Sequence, residues 1–124
     1  MASLIQALKK AMAGVKKKVC LLASADLAHV GPRFGDPAPP DRISLQNLAE
    51  EDRRLLGYAE RVDGEGFFRI LAREKDRRKV CGLSPIYVLL HLLEGARGKL
   101  LKYNQSLDPT TQSVVTFGSV AYYS

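Results

Sequence analysis

Three residues of this chain carry side chains that do chemistry, at spacings a fold could bring together: Asp26, His29 and Cys81. Asp26 and His29 stand three apart in Ser24-Ala-Asp26-Leu-Ala-His29-Val-Gly-Pro-Arg33-Phe34. A carboxylate and an imidazole so placed can pass a proton or share a cation. Cys81 precedes Gly82 and the start of a helix, where backbone N–H groups and the helix dipole favour the thiolate, a nucleophile and soft metal ligand. Plainer readings stand beside these. Asp-x-x-His stretches commonly make local loop hydrogen bonds, and a free Cys is commonly a small buried hydrophobe. If the two regions meet, they make either a nucleophilic Cys–His pair or a mononuclear metal site with an acid–base His beside it. Cys20 lies among Val and Leu and reads as packing. His91 lies in an apolar helix with no second ligand four residues away, so it reads as a packed side chain.

The elements that must position these residues follow from hydrophobic period and turn chemistry. Leu4, Ile5, Leu8, Met12 and Val15 recur at helical spacing, with lysines on the rest of the wheel. The continuous apolar run Val19–Ser24 predicts a buried strand of a parallel sheet, ending where Asp26 begins. Pro32, Pro37, Pro39 and Pro40 make the next stretch a loop. Asp41 caps a helix with Leu45, Leu48, Leu55, Leu56 and Ala59 inward, while Glu50, Glu51, Asp52, Arg53 and Arg54 form its solvated face. Asp63 or Gly64 opens a third helix, with Phe67, Phe68, Ile70 and Leu71 inward. The mixed-charge run Arg73–Lys79 reads as an exposed helix end. Ser84-Pro85 starts a helix apolar almost all round, Ile86 to about Arg97, which should be the most buried. Lys99–Ser106 and Ser113–Tyr123 are rich in Val, Tyr, Phe and Thr and read as strands. The order predicts an α/β sheet domain spanning residues 1–124 as a single unit.

Composition narrows the function classes. The net charge of +6 is concentrated in Lys9, Lys10, Lys16, Lys17 and Lys18, with no acid before Asp26. The basicity therefore belongs to one helix and its exit. A nucleic-acid groove would interleave aromatics with cations, and Phe34 is the sole aromatic in the first 57 residues. The N-terminal stretch holds no arginine and little serine, unlike a transit peptide. No apolar run approaches the roughly 20 residues of a membrane span. Two cysteines far apart do not make a disulfide framework, so the expectation is a reducing, cytoplasmic setting.

Ser24-Ala-Asp26-Leu-Ala-His29-Val-Gly-Pro-Arg33-Phe34 resembles the S-D-x-x-H-x-G-x-R-F motif of the Memo family, which includes the AmmeMemoRadiSam system protein B. Val80-Cys81-Gly82-Leu-Ser-Pro85-Ile86 is similar to that family's C-G-x-x-P-I motif, and the order and spacing of the two also match. The resemblance implies a three-layer α/β/α sheet domain like that of the class III extradiol dioxygenases. It implies His29 as the acid–base residue, Asp26 as the pocket carboxylate, Cys81 as a ligand to iron or copper, and Arg33 as a structural or pocket-lining side chain. The activity so implied is that of a dioxygenase-like or metal-dependent oxidoreductase. The alternative is a non-catalytic peptide- or protein-binding module. In the family the other metal-site histidines lie in an N-terminal half that has no counterpart here. The chain is therefore expected to correspond to the C-terminal half, inactive alone; either a protein partner or homo-oligomer completes the sheet, or the chain is a truncated piece. Radical-SAM and AMMECR-type proteins are the partners the resemblance implies.

Overall fold

The computed structural model describes residues 2–124. Its helices begin where the sequence supplies caps. The Asp41 carboxylate accepts the Ser44 N–H at 2.7 Å while Ser44 Oγ accepts the Asp41 N–H at 2.7 Å. This reciprocal capping box starts α2 (Arg42–Glu60), the helix following α1 (Ala2–Ala13). Asp63 starts α3 (Gly64–Arg73) by accepting the Gly66 N–H at 2.9 Å. The next helix, α4 (Leu83–Leu92), begins two residues ahead of the Ser84-Pro85 expectation, with Gly82 in the cap position. It also stops short of Arg97, and Leu90 is its single fully buried residue. The expectation of a helix buried all round is therefore corrected: α3 covers one side and α1 covers another only in part.

Strands β2 (Arg97–Asp108) and β3 (Ser113–Tyr123) form a long antiparallel hairpin, close to the predicted spans. Asp108 closes its turn, accepting the Thr110 N–H at 2.9 Å and the Thr111 hydroxyl at 3.0 Å. The two-residue strand β1 (His29–Val30) pairs antiparallel with the other edge of β3, His29 opposite Val115. The sheet order is β1-β3-β2. Among the described residues the fold is thus mixed α/β, with four α-helices and a three-stranded antiparallel sheet.

The core lies where α2 meets the sheet and α3: Leu27, Leu55, Leu56, Ala59, Phe67, Leu71, Val80 and Leu90. Burying each Leu or Phe contributes roughly 2 kcal/mol. The Tyr122 hydroxyl donates to Ala59 O at 2.9 Å and Leu100 N–H to Glu60 Oε2 at 2.9 Å, fixing α2 on the hairpin.

Three expectations are overturned. Val19–Ser24 is not a strand, because among the described residues nothing pairs with its backbone: hydrogen bonding to β3 begins only at the bond from Leu27 N–H to Thr116 O. Cys20 consequently lies exposed, not packed mid-strand. Phe68, expected inward, is 48 % exposed, since α3 turns Phe67 and Leu71 to the core instead.

The largest correction concerns charge. Asp52 and Arg78, assigned above to solvated surface, are 0 % and 1 % exposed. They form an ion pair, and Arg78 also meets Glu74 at 2.9 Å and Glu51 at 3.3 Å. On its other side Asp52 accepts the Tyr103 hydroxyl at 2.6 Å. Burial raises the Asp52 carboxyl above the ordinary carboxylate range, against the opposing pull of the Tyr103 and Thr116 hydroxyls and Arg78. Burial and the bond to Asp52 push the Tyr103 phenol far above its usual value.

Removing one partner leaves an unpaired buried charge. Arg78→Met should cost about 3–5 kcal/mol in urea unfolding, and the double change with Asp52→Leu should recover a large part of that loss.

Candidate functional site

The buried pair sits directly behind the first sequence motif. Thr116, 0 % exposed, accepts the Ala28 N–H at 2.9 Å, and its hydroxyl pulls the Asp52 carboxyl down. His29 N–H donates to Arg78 O at 2.8 Å. Thr116 of β3 thus holds the Ala28 end of the Ala28–His29 segment and the chain at Arg78 the His29 end. Lys75, Asp76 and Lys79 adopt positive φ angles of 53°, 54° and 49°. Non-glycine residues there cost of order 1–3 kcal/mol each and persist only where surroundings fix them. Here Asp76 Oδ1 accepts the Val80 N–H at 2.9 Å, and Arg78 is pinned by its carboxylates. The tight turn aims the carbonyls of Arg78 and Lys79 at His29.

Two carbonyls, of Lys79 and Leu27, settle the tautomer of the ring. Nδ1 of His29 lies 2.9 Å from Lys79 O and 3.1 Å from Leu27 O. Carbonyl oxygens only accept, so Nδ1 carries the proton, and in the neutral ring Nε2 keeps its lone pair. Cys81 Sγ lies 3.9 Å from that Nε2. Phe34 packs its ring edge-on to the imidazole at 5.1 Å, and the Arg33 guanidinium sits 5.5 Å from the Phe34 ring centre.

Two glycines allow the approach. Gly82 is buried, and a Cβ there would stand 2.6 Å from Asp26 O and 3.0 Å from Ala25 Cβ. Its absence lets the start of α4 press on residues 25 and 26, carrying Cys81 to His29. Gly31 has φ 117°, and a Cβ there would meet Ser113 Cα at 2.7 Å. Beyond it the loop closes on itself: Gly31 N–H donates to Asp36 Oδ2 at 2.7 Å, and Lys79 Nζ approaches Asp36 Oδ1 at 3.3 Å.

The structure therefore brings His29 and Cys81 together. Asp26 joins them through its backbone carbonyl, 3.8 Å from Cys81 Sγ, while the residue itself is exposed. His91 is elsewhere: its ring packs on Tyr87, with Nε2 3.2 Å from Glu65 Oε1 in a geometry that makes no hydrogen bond. Among the described residues no group of three or more His, Cys, Asp and Glu side chains is placed to hold a metal ion. Sequence reasoning missed Asp52, Arg78, Tyr103 and Thr116. A signal existed for one of them: Asp52 stands four residues after Leu48 and three before Leu55, on the buried stripe of α2.

Gly82→Ala should destabilise the chain by about 1–3 kcal/mol through overpacking and part Cys81 from His29, so that adding His29→Ala no longer changes the thiol-labelling rate of Cys81. For Asp36, the Gly31 N–H foremost, and Lys79, lower its carboxyl below the usual 3.8. The carboxylate is thus the form the fold prefers. Its contribution is fully present above 3.8 and is lost as pH falls through the folded value. The Gly31 amide resonance should report loop opening on acidification in that window, and Asp36→Asn should abolish the transition.

The Memo-like protein family model matches residues 1–121. A MEMO1 family protein of Thermus thermophilus is 37% identical over 102 residues, covering 81% of this chain and 30% of that protein. One from Aquifex aeolicus is 27% identical over 106 residues, 83% of this chain and 27% of its own length. One from Sulfolobus acidocaldarius is 29% identical over 124 residues, 97% and 39% respectively. The matched region is thus between 27% and 39% of each relative, less than the half that the motif resemblance implies. The match takes in both motifs and the residues that hold them, and the chain belongs to the Memo-like family.

Proposed function

We propose that this chain supplies part of a metal-binding redox site of the Memo type, with Cys81 as a ligand to iron or copper and His29 as the acid–base group beside it. The observation that carries the reading is the fixed tautomer of His29, which leaves the Nε2 lone pair facing Cys81 Sγ at 3.9 Å. Thiolate sulfur and imidazole nitrogen suit copper and iron in kind. They are too few in number, since closed sites take three or more protein ligands, so the remaining donors come from outside this chain.

The metal, when bound, supplies Lewis-acid and redox chemistry. The chain's own residues hold and move a proton. Nε2 can take one at the edge of the site, and the ring then becomes an imidazolium whose Nδ1–H still donates to Lys79 O and Leu27 O. Asp26 meets the pair through its backbone carbonyl, and its exposed carboxylate is the pocket acid of this reading. A dioxygenase-like oxidation, and the three-layer architecture that goes with it, belong to this reading as its finer form.

A second reading, a peptide- or protein-binding module, is favoured by a cleft of about 480 Å³ next to the loop after β1. Gly31, Asp36, Ser44, Asn47, Glu51 and Arg77 line it, a mixed-charge surface suited to a polar segment.

The deciding experiment titrates the chain anaerobically with Fe(II) and separately with Cu(I), comparing wild type with Cys81→Ser. Binding should weaken at least tenfold in the variant, by the loss of a thiolate ligand. Equal metal retention in both proteins overturns the metal reading. Complex formation with a partner that proceeds in the presence of chelator supports the binding module instead.

A further inference from the structure

The Nδ1–H of His29 is shared between two carbonyls, Lys79 O at 2.9 Å and Leu27 O at 3.1 Å. What aims those carbonyls lies one peptide further out. A trans peptide is planar, so its C=O and N–H point in opposite directions, and fixing one fixes the other. The Leu27 carbonyl shares its plane with the Ala28 N–H, which donates to Thr116 Oγ1 at 2.9 Å. The Lys79 carbonyl shares its plane with the Val80 N–H, which donates to Asp76 Oδ1 at 2.9 Å. Each acceptor of the ring proton is thus one end of a peptide whose other end is tied to a side-chain oxygen.

We propose that Thr116 and Asp76 are positioning residues of the His29 site, each turning one peptide so that the imidazole proton stays on Nδ1 and the Nε2 lone pair stays toward Cys81. The inference deepens the acid–base reading of His29 and rests on it. Among the described residues the hydrogen-bonding neighbours of the ring are Leu27 O, Lys79 O and Cys81 Sγ, so Thr116 and Asp76 act on it only through the main chain. With either peptide free to turn, the neutral ring loses part of what holds its proton on one nitrogen.

The residue types suit this task. Thr116 lies in β3 and is 0 % exposed. Its main chain already holds the peptides on either side, by Leu27 N–H to Thr116 O at 2.8 Å and Thr116 N–H to Ala28 O at 3.0 Å. The peptide between them, Leu27–Ala28, is left to the hydroxyl. Valine would fill the same space in a strand and offer no acceptor. Asp76 has φ 54°, a conformation that Asp and Asn enter more readily than other residues with a Cβ. From there its carboxylate reaches the main chain four residues on. Asparagine keeps both the conformation and the acceptor, whereas glycine keeps only the conformation.

Heteronuclear NMR correlation spectra of the histidine ring nitrogens test it, recorded with chelator in mildly alkaline buffer, where imidazole is neutral and no metal is bound. The His29 signals are assigned by their loss in His29→Ala. Wild type should show the proton on Nδ1. Thr116→Val and Asp76→Gly should each raise the Nε2–H population about fivefold, the change in a two-state ratio when one net hydrogen bond is lost. Thr116→Ser and Asp76→Asn keep the acceptor oxygen and should stay at the wild-type ratio, a rescue that separates aiming from packing. Asp76 is exposed, so Asp76→Gly keeps the test open even where Thr116→Val fails to fold. Folded Thr116→Val and Asp76→Gly proteins with an unaltered tautomer overturn this proposal alone, as do Thr116→Ser and Asp76→Asn proteins that lose it equally. A wild type protonated on Nε2 overturns the proposal together with the acid–base reading of His29. The metal ligation by Cys81 is tested separately, by the Cys81→Ser titration.

Discussion

The ion pair between Arg78 and Asp52 is the constraint on which the candidate site depends. Placing two charges in the interior costs several kcal/mol per ion unless each is paired and hydrogen-bonded. Both conditions are met: Arg78 has Asp52, Glu74 and Glu51, and Asp52 has Tyr103 and Thr116 besides. The partners come from α2, the turn after α3, β2 and β3. A group so connected fixes the relative position of four chain segments in a way that apolar contacts, which tolerate sliding, do not.

What this network determines is the direction of two carbonyl groups. The turn through Lys75, Asp76 and Lys79 is conformationally costly, and it exists because Arg78 must enter the core while Val80 returns to it. Its carbonyls orient His29, and the orientation leaves Nε2 toward Cys81. Positioning therefore passes from a buried charge, through a tight turn, to the ring. Gly82 completes it from the opposite direction, by removing the side chain that would hold α4 away from residues 25 and 26.

Burial is uneven across the molecule. The α2, α3 and hairpin region carries a closed core, whereas α1, the segment after it and the outer face of α4 form a surface of half-covered apolar side chains. The two candidate donors lie at the border between these regions. The well-packed side holds His29 rigidly, and the open side is where additional chain can approach.

The sequence by itself determined the local elements and the family. Reciprocal capping at Asp41 and Ser44, the Asp63 cap, the helical stripes and the β-rich hairpin are decided by neighbours within a few residues, so they could be read from order alone. The two motifs that signalled the Memo-like family also contain His29 and Cys81, the pair found in contact. Tertiary structure alone decided the rest. An apolar run becomes a strand only if another strand meets its backbone, and Val19–Ser24 meets none among the described residues. A charged residue is solvated or buried according to partners distant in the chain, and Arg78 finds Asp52 across 26 positions. The tautomer of His29 rests on the carbonyl of Lys79, 50 residues away, whose direction no local pattern encodes.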